Sequence, residues 1–132
     1  MHPVLAGSVL AVALGLLTLR PARAQDAAAG ETDFVVCRAC HQIGLNAKNA
    51  LGPELNGVVG RKAGGVPGYE YSEANKNSGI TWTKEELEKY LADPQAAVKG
   101  TKMIFPGFHN DTKKIDDIIA FLDQYGPDGK KK

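Results

Sequence analysis

Cys37-Arg38-Ala39-Cys40-His41 is the stretch on which the reading of this chain turns. Thiols three residues apart on a helical turn share a face, and the imidazole that follows stands beside the second of them. These are the only two cysteines among 132 residues. Two thiols and an imidazole at this spacing match the attachment signature of c-type haem, where the sulfurs bond to the two vinyl groups of one porphyrin edge and the imidazole reaches the iron. One short segment then supplies both the tether and the proximal ligand. A Cys37–Cys40 disulfide or thiol redox motif is the first rival, but such motifs sit beside a βαβ pattern that this sequence lacks. Zinc is the second, and outside the N-terminal stretch its ligands would have to be Cys37, Cys40, His41 and His109, with the adjacent Cys40 and His41 straining one tetrahedron.

Upstream of the motif, residues 4–19 are almost entirely apolar, and Ala22-Arg23-Ala24 follows as a small-x-small cleavage pattern. We expect residues 1–24 to be a cleaved secretory signal and residues 25–132 to form one domain, which places the protein in the periplasm. The run falls a little short of the ~20 residues of a spanning helix, and a retained anchor is the competing reading. Subtracting Arg20 and Arg23 from the 16 basic residues leaves 14 against 15 acidic ones, a formal charge of −1. That balance offers no basic field for nucleic acid.

Downstream, the pattern is helical. A first helix is expected over about residues 31–41, presenting the motif. A second is signalled by Thr83-Lys84-Glu85-Glu86 as a capping box, with Trp82 and Leu87 at the staple positions and Pro94 as the stop. The third is the clearest: Asp111 as cap, Ile115, Ile118, Ile119 and Leu122 at i, i+3, i+4, i+7, and Gly126-Pro127 beyond Tyr125. A short helical piece is expected near residues 72–76 with Ser72 as cap, and residues 129–132 read as a frayed tail. Between His41 and Tyr69 no period is sustained, and Gly44, Gly52, Gly57, Gly60, Gly64, Gly65 and Gly68 punctuate the stretch. A domain of about a hundred residues with three helices has little core of its own, so a large apolar cofactor would be what these loops wrap.

If haem is bound, the second axial ligand separates electron transfer from chemistry on a bound small molecule. Met103 is the only methionine besides Met1, in a loop bounded by Gly100 and by Pro106-Gly107 between two helices. A lone methionine is often core filler; beside the cysteine motif, ligation is the stronger reading. His109 is the rival ligand, and Lys99 or Lys102 could compete at high pH.

From Gly30 to about Tyr125 the chain resembles the class I cytochromes c, the bacterial cytochromes c2 and their mitochondrial relatives. The resemblance is carried by the cysteine motif, by Leu51-Gly52-Pro53-Glu54-Leu55-Asn56-Gly57-Val58-Val59-Gly60-Arg61, by the stretch from Tyr71 to Trp82, and by Gly100-Thr101-Lys102-Met103-Ile104-Phe105. It implies an all-α cytochrome c fold, three main helices and Gly-rich loops around one haem c joined through thioethers at Cys37 and Cys40. It further implies iron ligation by His41 and Met103, with the Pro53 carbonyl accepting the other ring N–H of His41. Arg61, Tyr71 and Trp82 would lie near the haem propionates, and Asn75, Tyr90 and Thr101 would form a polar network beside the methionine. Gly30 and Phe34 would mark where the first helix crosses the last, against Ile118, Phe121 and Leu122.

The activity so implied is that of a monomeric single-electron carrier rather than an enzyme. Its partners would be transient redox proteins: a quinol-oxidising complex, a terminal oxidase, a photosynthetic reaction centre or a periplasmic dehydrogenase system, with membrane contact only through them. A haem enzyme or gas sensor becomes the alternative if Met103 is not a ligand. One departure stands out, since Val36, Gln95 and Ala96 occupy positions where mitochondrial relatives commonly carry lysines, while Lys48, Lys62, Lys99 and Lys102 remain. Strong steering toward an acidic partner is therefore not expected.

Overall fold

The computed structural model describes residues 25–132, so the expected secretory segment lies outside the described residues. Helix α1 spans Ala27–Asp33 and tightens into a 3-10 segment, Phe34–Ala39. The start differs from the expected residue 31. The Asp26 side chain caps the helix by accepting from the Ala28 and Ala29 N–H groups, and an alanine run favours helix without showing any apolar period. The tightening falls where Val35 and Val36 put two β-branched side chains in succession. In 3-10 geometry residues i and i+3 eclipse, which brings Cys37 and Cys40 onto one line more closely than an α-helix would. The Cys37 carbonyl closes the segment by accepting from Cys40 N–H at 3.1 Å and His41 N–H at 2.9 Å.

Three short helices follow in chain order: α2 (Glu73–Lys76), α3 (Lys84–Ala92) and α4 (Pro94–Ala97). Ser72 caps α2 through the Asn75 N–H, as the sequence suggests. Thr83 Oγ1 caps α3 by accepting from Glu86 N–H at 3.2 Å. The capping box is only half made, because the Glu86 carboxylate accepts from Lys89 Nζ at 2.7 Å instead of returning to the backbone. Pro94 does end α3, yet it also opens α4: Asp93 caps Ala96 N–H, and proline at the first helical position lacks only an N–H that has no partner there.

The long helix α5, Thr112–Asp123, is capped by Asp111 and buries Ile115, Ile118, Ile119, Phe121 and Leu122. It crosses α1 at Gly30, where a Cβ would overlap the Asp117 carbonyl and stand 2.9 Å from Ile118 N. Only a glycine permits that approach. Phe34 and Phe121, both fully buried, meet there with ring centroids 5.1 Å apart. The Asp117 carboxylate seals the crossing, accepting from Asp26 N–H at 2.9 Å and from Lys113 Nζ at 2.5 Å.

The last residues are not a frayed tail. Gly126 N–H bonds to Lys130 O at 2.9 Å, Lys132 N–H to Gln124 O at 2.8 Å, and Lys132 Nζ to Asp123 Oδ1 at 3.0 Å. The segment is a turn folded back on the end of α5, with an isolated antiparallel bridge between Tyr125 and Lys131. A second bridge, Lys62 to Thr81, joins the loops, and no strand occurs among the described residues.

Candidate functional site

Between α3, α5 and the long loops lies one apolar cleft of about 330 Å³. Leu87, Leu91, Ile118 and Leu122 form its floor, and these are the apolar stripes of the two helices read from the sequence. Cys37, Cys40 and His41 enter from the 3-10 segment, and Met103 enters from the loop between α4 and α5. Both sulfurs are half-buried, and no disulfide joins them. Burial raises the Cys37 thiol to about 11, with Cys40 pushing the same way and Arg38 only partly opposing.

His41 is the most firmly held side chain in the cleft. Its Nδ1 lies 2.7 Å from the Pro53 carbonyl, so that nitrogen carries the proton and Nε2 keeps its lone pair. Burial lowers the pKa of the ring; the Pro53 bond works against that and Arg61 works with it. A neutral imidazole with a fixed tautomer is the form that ligates iron. The sequence marks Gly52 only as one of the loop glycines, and the structure gives it a role: a Cβ there would lie 2.6 Å from Nδ1 and 2.8 Å from Nε2. The Pro53–Glu54 peptide is gripped on its other edge by Asn49 Oδ1, which accepts from Glu54 N–H at 3.0 Å. A glycine directly before the proline was the available signal for Gly52; Asn49 gave none.

Arg61, Tyr71 and Trp82 line the cleft together. Arg61 donates to the Asn56 carbonyl at 2.9 Å and the Glu54 carbonyl at 3.0 Å, with the Glu54 carboxylate 3.5 Å away. Tyr71 accepts from Val66 N–H at 3.1 Å, which leaves its O–H to donate elsewhere. Trp82 stacks at a tilt on Tyr90, 4.7 Å between centroids. Asn75, Tyr90 and Thr101 gather near the methionine: Tyr90 and Thr101 share a hydrogen bond of 2.8 Å between their hydroxyls, and Met103 N–H reaches Thr101 Oγ1 at 3.4 Å. Every residue singled out from the sequence as cofactor-binding or iron-ligating, Pro53 included, therefore lines the same cleft. The rival ligand His109 is exposed and outside it, as is Lys99. Lys102 does reach the rim, but its Nζ sits 4.5 Å over the Tyr69 ring and donates to the Glu70 carbonyl. Among the described residues no group of three or more His, Cys, Asp or Glu side chains is gathered closely enough to share a metal ion, and His109 stands apart from Cys37, Cys40 and His41.

Haem fits this lining. The apolar floor matches a porphyrin face, the two cysteines stand at its border, and donors from Arg61 and Tyr71 are available to carboxylates. Asn75 Oδ1, buried with no partner of its own, marks one polar atom that the protein alone leaves unsatisfied.

No family model matches the chain. A cytochrome c2 of Blastochloris viridis is 53% identical over 115 residues, which is 87% of this chain and 90% of that protein. Cytochrome cH from Methylobacterium extorquens superposes with a TM-score of 0.70 at 56% identity, covering 74% of this chain and 97% of that one. Cytochrome c2 from Rhodospirillum centenum gives a TM-score of 0.73 at 38% identity, over 77% and 99% of the two chains. Sequence similarity at this level across most of the chain, the shared fold and a cleft built for covalent haem c lead to one assignment: the chain belongs to the class I cytochromes c, in the cytochrome c2 family.

Proposed function

We propose that the protein carries single electrons between redox proteins of a respiratory, photosynthetic or dehydrogenase chain in the periplasm, and that it is not an enzyme. The observation that carries this reading is His41, clamped between the Pro53 carbonyl and Gly52 in the same cleft that receives Met103. His41 and Met103 would both hold the iron, which would leave no coordination site for a substrate. Haem c supplies a one-electron Fe(III)/Fe(II) couple when bound, and thioether with imidazole ligation favours the reduced state. Cys37 and Cys40 would tether the ring edge, and His41 would present Nε2 while its Nδ1–H donates to the Pro53 carbonyl. Arg61, Tyr71 and Trp82 would donate to the propionates, since a carboxylate turned inward without partners is costly. Asn75, Tyr90 and Thr101 set the polarity beside Met103.

No helix among the described residues is long and apolar enough to cross a membrane, and residues 1–24 are read as a removed export signal. The partners are transient ones, met through the exposed border of the cleft, where Val36, Leu51 and Ile104 lie. Reduced and oxidised absorption spectra with carbon monoxide titration test the assignment. A six-coordinate, low-spin iron that ignores carbon monoxide at neutral pH is expected; a five-coordinate iron that binds it fully overturns the carrier. The mass of the exported protein tests cleavage before Gln25.

A further inference from the structure

We propose that the C-terminal turn, residues 126–132, is a strap that positions His41 from the far side of the molecule by locking the loop that carries Pro53. The inference rests on the electron-carrier reading only in taking His41 as the ligand whose orientation matters.

The contacts form an unbroken series. Gly129, at φ +78°, is seated so closely on the loop that a Cβ would overlap the Gly44 carbonyl and stand 2.9 Å from Asn56 Nδ2. Asn56 closes that loop across its neck, accepting from Gly44 N–H at 2.8 Å and donating to Gly44 O at 3.0 Å. Gly57 is capped by Pro127, 2.9 Å from where its Cβ would be. From Asn56 the order runs back to the ligand: its N–H bonds to Glu54 Oε2 at 2.6 Å, and Arg61 ties the carbonyls of Asn56 and Glu54 together. The next peptide is Pro53–Glu54, whose carbonyl accepts from His41 Nδ1. The turn is itself pinned, by Lys132 to Asp123 and to the Gln124 carbonyl.

A loop of glycines has many conformations to lose, and only packing from outside selects one. Here Gly129 and Pro127 supply that packing, and Asn56 transmits it. When the strap is loosened, Pro53 O spends more time away from His41, and the imidazole becomes a weaker donor. Residues 127–132 and Asn56 are thus positioning residues, and their effect is read at a ring proton far from the turn in sequence.

The test uses proton NMR of the reduced holoprotein, comparing exchange of His41 Nδ1–H with that of the Phe121 amide inside α5. Two variants are compared, one ending at Gly126 and one carrying Gly129→Ala. In each, His41 Nδ1–H should exchange about tenfold faster relative to Phe121, as local opening outruns global unfolding. The midpoint potential should move upward at the same time. Ile119→Val serves as control: it weakens the core without touching the strap and should move both protons alike. Unchanged exchange ratio and potential in both variants, with normal histidine ligation in the parent protein, overturn the strap alone. A parent protein without histidine ligation overturns the carrier reading and the strap together.

Discussion

The two walls of the cleft are built on opposite terms. On the histidine side, His41 is held by Pro53, packed against Gly52 and backed by the Gly52 N–H to Cys40 O bond of 2.8 Å. On the methionine side, Met103 packs at the edge of the core with one long backbone bond to Thr101 Oγ1, its neighbour Ile104 is fully exposed, and the loop is fastened through Thr101, by Tyr90 and by Gln95 Nε2, each at 2.8 Å. One proposed ligand is fixed by geometry and the other is offered by a loop. Ligand loss should therefore begin at Met103, and substitutions on the two walls should differ in kind as well as size.

The largest effect is expected at Gly52→Ala. Its methyl would displace the imidazole, and overpacking of this sort costs about 3 kcal/mol at the upper end of its usual range. Chemical denaturation should show that loss with an altered histidine ligation spectrum, and an unchanged spectrum would mean that the histidine wall is softer than described. Met103→Ala should cost less, about 2 kcal/mol because the side chain is only partly buried, and the fold should survive. Its signature is carbon monoxide binding at neutral pH, which the parent protein should resist. Tyr90→Phe removes one hydroxyl of the Tyr90–Thr101 pair and should cost about 1 kcal/mol in thermal or denaturant unfolding, with ligation intact.

The smallest effect near neutral pH lies away from both walls, at the α1–α5 crossing. The bond from Lys113, then that from Asp26 N–H, holds the Asp117 carboxyl below its ordinary 3.8. The unfolded chain takes up that proton more readily than the folded one, so the contribution is complete above about pH 4 and is lost as the pH falls through the lower folded value. Asp117→Asn should flatten the acid limb of stability against pH, while the methionine ligation band stays the same at neutral pH.

Much of this arrangement was legible in the residues themselves. The cysteine motif named the cofactor, and the stripes of α3 and α5 named the floor, because apolar spacing reports directly which face turns inward. Pro53, Arg61, Tyr71, Asn75, Trp82, Tyr90, Thr101 and Met103 came through the family resemblance, and the fold brings all of them to the cleft. What escaped the sequence depends on contacts between distant segments. Asp26 and an alanine run carry no period, so the start of α1 was placed too late. Pro94 read as a stop, although a capped proline is also a start. The Gly-Pro-Asp-Gly-Lys-Lys-Lys ending has the composition of a solvated tail, and only its fit against Gly44 and Gly57 gives it order. Asn49 shows the same limit, since its work on the Glu54 N–H depends on a loop that no local rule describes.

The crossing at Gly30 also carries a lesson about assembly order. Asp26 and Asp117 are joined across 91 residues, and the wall of the cleft includes Ile118 and Leu122 from that same last helix. A polypeptide emerging from its N-terminus cannot complete this enclosure until nearly all of it has been delivered, and contacts of such long sequence separation form slowly. The two sulfurs, by contrast, are present early and belong to a local turn. The topology thus leaves an interval in which the thiols stand open on a local turn before the terminal helix completes the cleft.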